Sequence, residues 1–174
     1  MEKGFVTIVM IEEPNYPFKL THHIGTIIPA YSSAIGKAFL SELTEAELDN
    51  FYPEEELEPR TSRTITTKAE LKLELKKIKK AGISFNREGA YEGIVGIGSV
   101  VRGKKGKAIA SLSISIPVFR ITQANQQKYA TLVKLGASLI SYRLGYEDKT
   151  QQIHNIEEIR SWWEENQAGL AVKT

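Results

Sequence analysis

Residues Ala110-Ser111-Leu112-Ser113-Ile114-Ser115-Ile116-Pro117 alternate hydroxyl and aliphatic side chains. A period of two marks a β-strand, whose successive side chains leave the backbone on opposite faces. Leu112, Ile114 and Ile116 therefore share one face, and Ser111, Ser113 and Ser115 share the other. The aliphatic face demands a core. The serine face raises a different question, because serine favours strands little and gains little from burial alone, so its hydroxyls must meet water, a neighbouring strand or a small ligand. Periodicity by itself favours a solvated sheet face.

The elements around this strand limit the fold. Residues 83–86 and 93–101 read as extended segments, and Arg102-Gly103-Lys104-Lys105-Gly106-Lys107 has the glycines of a tight hairpin turn leading into 107–116. The lysines of that turn read as a solvated loop tip rather than a phosphate contact. Upstream, residues 4–12 are rich in β-branched and aromatic side chains and end at Glu13-Pro14-Asn15. Residues 18–28 read as a second strand, or two short ones hinged at Gly25, ended by Pro29. Ser32 or Ser33 caps a short helix over Ala34–Leu40, and Thr44-Glu45-Ala46-Glu47 and Thr67-Lys68-Ala69-Glu70 are capping boxes opening two more. From the second box, Leu71, Leu75, Ile78 and Ala81 recur at helical spacing until Gly82. A long helix over 123–144 carries Tyr129, Leu132, Val133, Leu135, Leu139 and Ile140 on a broad stripe, with Gly145 at its end. A hairpin of adjacent strands without a repeating strand-helix-strand unit predicts an α+β domain with an antiparallel sheet. Residues 147–174 read as an appendage to a domain spanning 1–146: a polar linker, then a helix capped near Asn155 with Ile156, Ile159 and Trp163 in register. Trp162 and Trp163 are too apolar for a free tail, so this helix is expected to dock on the body or on a partner subunit.

Several chemistries lack their parts. The chain has no cysteine, which removes disulfides, thiolate metal sites and cysteine nucleophiles and suits a reducing, cytoplasmic setting. Its 23 basic and 21 acidic residues leave a net charge of +2, too balanced to argue nucleic-acid binding from bulk charge. No apolar run approaches the roughly 18 residues of a membrane span, so no membrane partner is expected. There is no Gly-x-Ser-x-Gly elbow, and Gly36-Lys37-Ala38 lacks the upstream glycine and the Ser/Thr of a phosphate-binding loop. Gly93-Ile94-Val95-Gly96-Ile97-Gly98 has the wrong spacing for a dinucleotide fingerprint; its glycines suggest a bulge or tight packing under a helix. His22 and His23 face opposite sides of a strand and His154 stands apart, so no metal site is expected. No catalytic residue and no cofactor are expected either.

Several motifs do fall in a recognisable order: Pro29-Ala30-Tyr31-Ser32-Ser33-Ala34-Ile35-Gly36-Lys37-Ala38-Phe39-Leu40, then Arg63-Thr64-Ile65-Thr66, then Ala81-Gly82, Glu88 and Gly93, and finally Ser113-Ile114-Ser115. Together they resemble the effector-binding domain of the IclR (isocitrate lyase regulator) family of transcription factors, over residues 5–145. The resemblance implies a GAF-like fold, a curved antiparallel β-sheet flanked by helices, with a pocket for a small-molecule effector, often a carboxylic acid. It implies a homodimer or homotetramer, and DNA binding only through an N-terminal winged helix-turn-helix that this chain, with three residues ahead of its first strand, lacks. The expectation is a sensing and oligomerising domain, with a stand-alone GAF-like interaction module docking through the Trp162 and Trp163 helix as the alternative.

Carried over by position, the resemblance implies a pocket formed by the Ala34-Ile35-Gly36 turn, Asn86, Gly96, Ser113 and Ser115, walled by Leu20, Ile28 and Ile94. N–H groups at a helix start favour an anion, and serine hydroxyls can donate to its oxygens. A carboxylate would thus be held without lysine or arginine. The chain departs from the family at Asn86, often acidic in relatives, at Gly96, where a missing side chain is expected to open room, and at Ile35 and Ile116, which replace smaller residues.

Overall fold

The computed structural model describes residues 4–12, 23–148 and 155–166. Antiparallel pairing falls in two pieces. Strands β1 (Phe5–Thr7) and β2 (Ile27–Pro29) form a hairpin, while β3 (Ser84–Arg87), β4 (Ile94–Arg102) and β5 (Ala108–Pro117) form a sheet in the order β3-β4-β5. Helices α1 (Ala34–Leu40), α2 (Glu45–Phe51) and α3 (Lys68–Ala81) separate the two pieces in sequence, and α4 (Gln123–Arg143) and α5 (Ile156–Glu165) follow. This is the expected α+β arrangement. No described helix is long and apolar enough to cross a membrane.

Each helix starts where a side chain can satisfy its orphan N–H groups. Ser33 caps α1 by accepting the Gly36 N–H, and Thr44 and Glu47 form a reciprocal capping box on α2. Thr67 caps α3, and Gly82 ends it in the left-handed conformation at φ 66°. A capping box at Thr122 and Asn125, absent from the sequence reading, opens α4.

The alternation of β5 sorts two layers. Its aliphatic face joins Val95 and Ile97 of β4, both fully buried, against Ala130 and Val133 of α4. A second core lies between the β1–β2 hairpin and α1 to α3, where Val6, Ile28, Leu40, Leu71, Leu75 and Ile78 are buried together. Tyr52 spans it, donating its phenol to the Gly4 carbonyl at 2.7 Å and meeting Tyr31 edge-on. Burial pushes the Tyr52 phenol well above its ordinary range.

Some expectations need correction. The strand expected over 4–12 is regular only over Phe5–Thr7, although Ile8 continues the pairing through its N–H to the Thr26 carbonyl at 2.9 Å. Ala81 and Ile140 sit on the helical stripes but are exposed, Ile140 between the buried Leu139 and Ser141. The Glu13-Pro14-Asn15 turn, Leu20, His22 and His154 lie outside the described residues. The C-terminal helix lies on the body: Ile159 is buried, the Trp163 ring stacks on Tyr129 of α4 at 6.5 Å, and Lys128 Nζ donates to the Asn166 carbonyl at 2.8 Å.

Candidate ligand pocket

The serine face of the sheet is covered by α1 along part of its length. Register explains how. Ser84, Gly98 and Ser113 form one row across the three strands, and Asn86, Gly96 and Ser115 form the next. In each row a glycine on the central strand lies between polar side chains on the outer two. A Cβ at Gly98 would fall 2.8 Å from the Ala34 carbonyl oxygen, and one at Gly96 would fall 2.9 Å from the Ala34 Cβ. The first turn of α1 therefore rests directly on the β4 backbone, the tight packing under a helix that these glycines suggested. Room was expected at Gly96, but the Ala34 methyl occupies it. Gly36 serves the other side of α1, where a Cβ would lie 2.2 Å from the Ala30 carbonyl oxygen.

Beside this contact lies a cavity of about 70 Å³, lined by Ile8, Ile28, Ser33, Ala34, Ile35, Asn86, Ala90, Tyr91, Ile94, Gly96, Ser113 and Ser115. Drug-sized sites start at roughly 300 Å³, so this one suits a molecule of few heavy atoms. Its lining contains no charged side chain. Hydroxyls and an amide gather on the sheet side, and isoleucines close it from the hairpin, from α1 and from the start of β4.

The three serines of β5 differ in employment. Ser111 Oγ donates to the Ile35 carbonyl at 2.8 Å and so fastens the strand to α1. Ser113 and Ser115 line the cavity, Ser115 at its exposed rim, and among the described residues neither hydroxyl has a hydrogen-bond partner. Asn86 is buried at 7% exposure on β3. Lys37, one turn into α1, is also buried, and its Nζ donates to the Phe85 carbonyl at 3.1 Å and lies 3.8 Å from Glu74. Burial lowers its pKa, partly offset by the Glu74 carboxylate. This cation braces α1 against β3 and α3 and is not part of the cavity lining.

Of the residues carried over from the resemblance, the structure gathers Ala34, Ile35, Asn86, Gly96, Ser113, Ser115, Ile28 and Ile94 around this one cavity. Gly36 is not among its lining residues, and its N–H is spent on Ser33 Oγ at 3.2 Å. The helix start thus offers one amide fewer than expected. Ile8, Ser33, Ala90 and Tyr91 were missed. Ser33 could have been found from its capping role, whereas Ala90 and Tyr91 belong to an aperiodic turn that gives no signal.

Comparison with known proteins follows the same outline. The family described as bacterial transcriptional regulator IclR C-terminal matches residues 1–142. The transcriptional regulator KdgR of Escherichia coli is 32% identical over 133 residues, which is 76% of this chain and 51% of that protein. The chain spans about half the length of the curated relatives it matches. Among solved structures, Thermotoga maritima IclR superposes with a TM-score of 0.78 at 30% identity, covering 84% of this chain and 59% of that one. The C-terminal domain of E. coli KdgR superposes with a TM-score of 0.68 at 31% identity, covering 83% and 90%.

Proposed function

The chain belongs to the IclR family of bacterial transcriptional regulators, matching its C-terminal domain, and from that membership we propose that the cavity beside α1 is the effector site of such a regulator. The ligand is a small carboxylate metabolite. Ser113 and Ser115 donate to its oxygens, with Ser33 and Asn86 beside them, and Ile28, Ile35 and Ile94 enclose its apolar part, joined by Leu20 as the resemblance implies. The observation that carries this reading is the division of labour on β5: Ser111 is bonded to α1, while the next two hydroxyls on the same face line an uncharged cavity with no protein partner among the described residues. A hydrogen bond from a neutral donor to an ionised acceptor contributes about 1.5–3 kcal/mol, enough to hold a carboxylate without a lysine or arginine.

The sensing unit is residues 1–146, and residues 147–174 extend it through α5. Effector binding acts on DNA through a winged helix-turn-helix elsewhere in a cytoplasmic homodimer or homotetramer. That coupling requires different effector affinities in two quaternary states. No catalytic step is assigned to the site, in keeping with relatives that are transcriptional regulators by name.

A thermal-shift series with acetate, pyruvate and benzoate tests the ligand class, with acetamide, the 2-oxo amide of pyruvate and benzamide as uncharged controls. A ligand at about 100 times its Kd stabilises by about 2.7 kcal/mol, a shift that is readily measured. Acetate and pyruvate should stabilise, the larger benzoate less, and the amides should not. Ser113→Val and Ser115→Val should each weaken binding by about tenfold, read by calorimetry, with the fold intact. A chain indifferent to every acid, or mutants of unchanged affinity, refutes the assignment.

A further inference from the structure

Ala90 and Tyr91, the lining residues that no periodicity announces, sit on the turn between β3 and β4, and hydroxyls from a distant segment hold that turn in place. Thr64 is 9% exposed, and its Oγ1 makes three strong hydrogen bonds. It donates to the Gly89 carbonyl at 2.8 Å and accepts the Arg60 and Thr61 N–H groups, each at 2.9 Å. Thr61 Oγ1 donates to the Glu88 carbonyl at 2.7 Å and accepts the Arg63 N–H at 3.1 Å. Two threonines of one short segment thus grip two consecutive carbonyls of the other.

Glu88 closes the turn from its own side. One carboxylate oxygen accepts the Gly93 N–H at 2.9 Å, and the other lies 3.2 Å from Arg63 Nε. Its backbone adopts φ 58°, the left-handed region, which a non-glycine residue holds only where its surroundings over-determine it. Gly89 lies so close to the pocket amide that a Cβ there would fall 2.7 Å from Asn86 Oδ1. The turn therefore rests on Asn86 while it carries Ala90 and Tyr91 along the cavity.

We propose that Thr64 is a positioning residue for the pocket: with Thr61 and Glu88 it clasps the 88–93 turn, fixing the Ala90–Tyr91 wall and the Asn86 amide, and so sets how tightly and up to what size a ligand is held. The ligand part rests on the effector-site reading above; the clasp is a property of the turn itself.

The test combines amide hydrogen exchange with binding of acetate, pyruvate and benzoate, on the full chain. Thr64→Val keeps the shape and removes the hydroxyl. Exchange across 89–93 should accelerate at least tenfold while β4 and β5 amides stay protected; acetate and pyruvate should bind about tenfold more weakly, and the preference should move toward benzoate. Thr64→Ser should restore both readouts, which a merely packing role for the side chain would not produce. Thr61→Val, which loses the Glu88 and Arg63 bonds and the 3.3 Å contact with Thr64 Oγ1 but leaves the Thr64 bond to Gly89, should show a smaller change of the same sign and serves if Thr64→Val does not fold. Unchanged exchange across 89–93 in both valine variants overturns the clasp. Faster exchange with unaltered affinity and size preference overturns the positioning role. If the unmodified chain binds none of the acids, the carboxylate reading fails, and the exchange result alone decides the clasp.

Discussion

One face of the β3–β4–β5 sheet meets α4 through side chains, and the other meets α1 almost backbone to backbone. On the α4 side, Val95, Ile97 and Ile116 interlock with Ala130 and Val133, and apolar area removed from water supplies the stability. On the α1 side, Gly96 and Gly98 strip the central strand bare, so that Ala34 and Ile35 descend onto it while the polar side chains of β3 and β5 stand on either flank. A face packed in the first way leaves no space. In the second way, the helix can cover the central strand but not both flanks, and the uncovered flank becomes a recess lined with hydroxyls.

Substitutions separate the two kinds of packing. The largest effect is expected on the backbone side: Gly98→Val would drive a Cβ to 2.8 Å from the Ala34 carbonyl oxygen and should cost about 4 kcal/mol or more, seen in chemical denaturation as loss of the cooperative transition or a sharply lower midpoint. Ile97→Ala on the α4 side should cost about 3 kcal/mol by leaving a cavity, with the pocket's ligand affinity unchanged. If Ile97→Ala abolished binding while Gly98→Val was tolerated, the contrast between the faces would collapse. Ser111→Ala removes the bond to the Ile35 carbonyl and should cost about 1 kcal/mol by the same denaturation measurement.

The smallest effect at neutral pH is expected at Lys37. Because burial lowers its folded pKa below the ordinary 10.5, the folded state binds fewer protons than the unfolded one between those two values. Stability contributed by this residue should therefore rise as pH climbs through that window. Lys37→Met should change stability by less than about 1 kcal/mol at pH 7, since the Glu74 carboxylate keeps contact with water, and should flatten that rise. A mutant with the same slope just below pH 10.5 would show that the buried ammonium is not its source.

Local chemistry was legible in the chain wherever it is local. The Ser33 cap, the limits of Ala34–Leu40 and the long pair of strands closed by a glycine turn all follow from residues within a few positions of one another. The two faces of β5 were legible too, but not what would cover the serine face, because α1 is reached only through contacts distant in sequence, such as Ser111 to Ile35, 76 residues apart. Gathering most of the pocket residues depended on a family resemblance rather than on pattern. The Ala90–Tyr91 wall escaped both routes, since its shape comes from Thr61 and Thr64 holding a turn in a conformation that no propensity favours. The family resemblance implies a pocket role for Gly36; the structure turns it instead toward Ala30.

Beyond the end of β3, strand β4 runs on to Arg102, where its ladder would leave open positions. There Ser141 of α4 accepts the Arg102 N–H at 2.9 Å, while its own hydroxyl donates to the Ala137 carbonyl at 2.7 Å. The Arg102 guanidinium turns back to the Gly106 carbonyl and to Glu42, at 3.0 and 2.8 Å. An edge amide occupied in this way has nothing to offer a strand from another molecule, and a charged side chain folded over it raises the cost of approach. The long hairpin that builds the pocket is thereby guarded at this end against sheet-to-sheet aggregation.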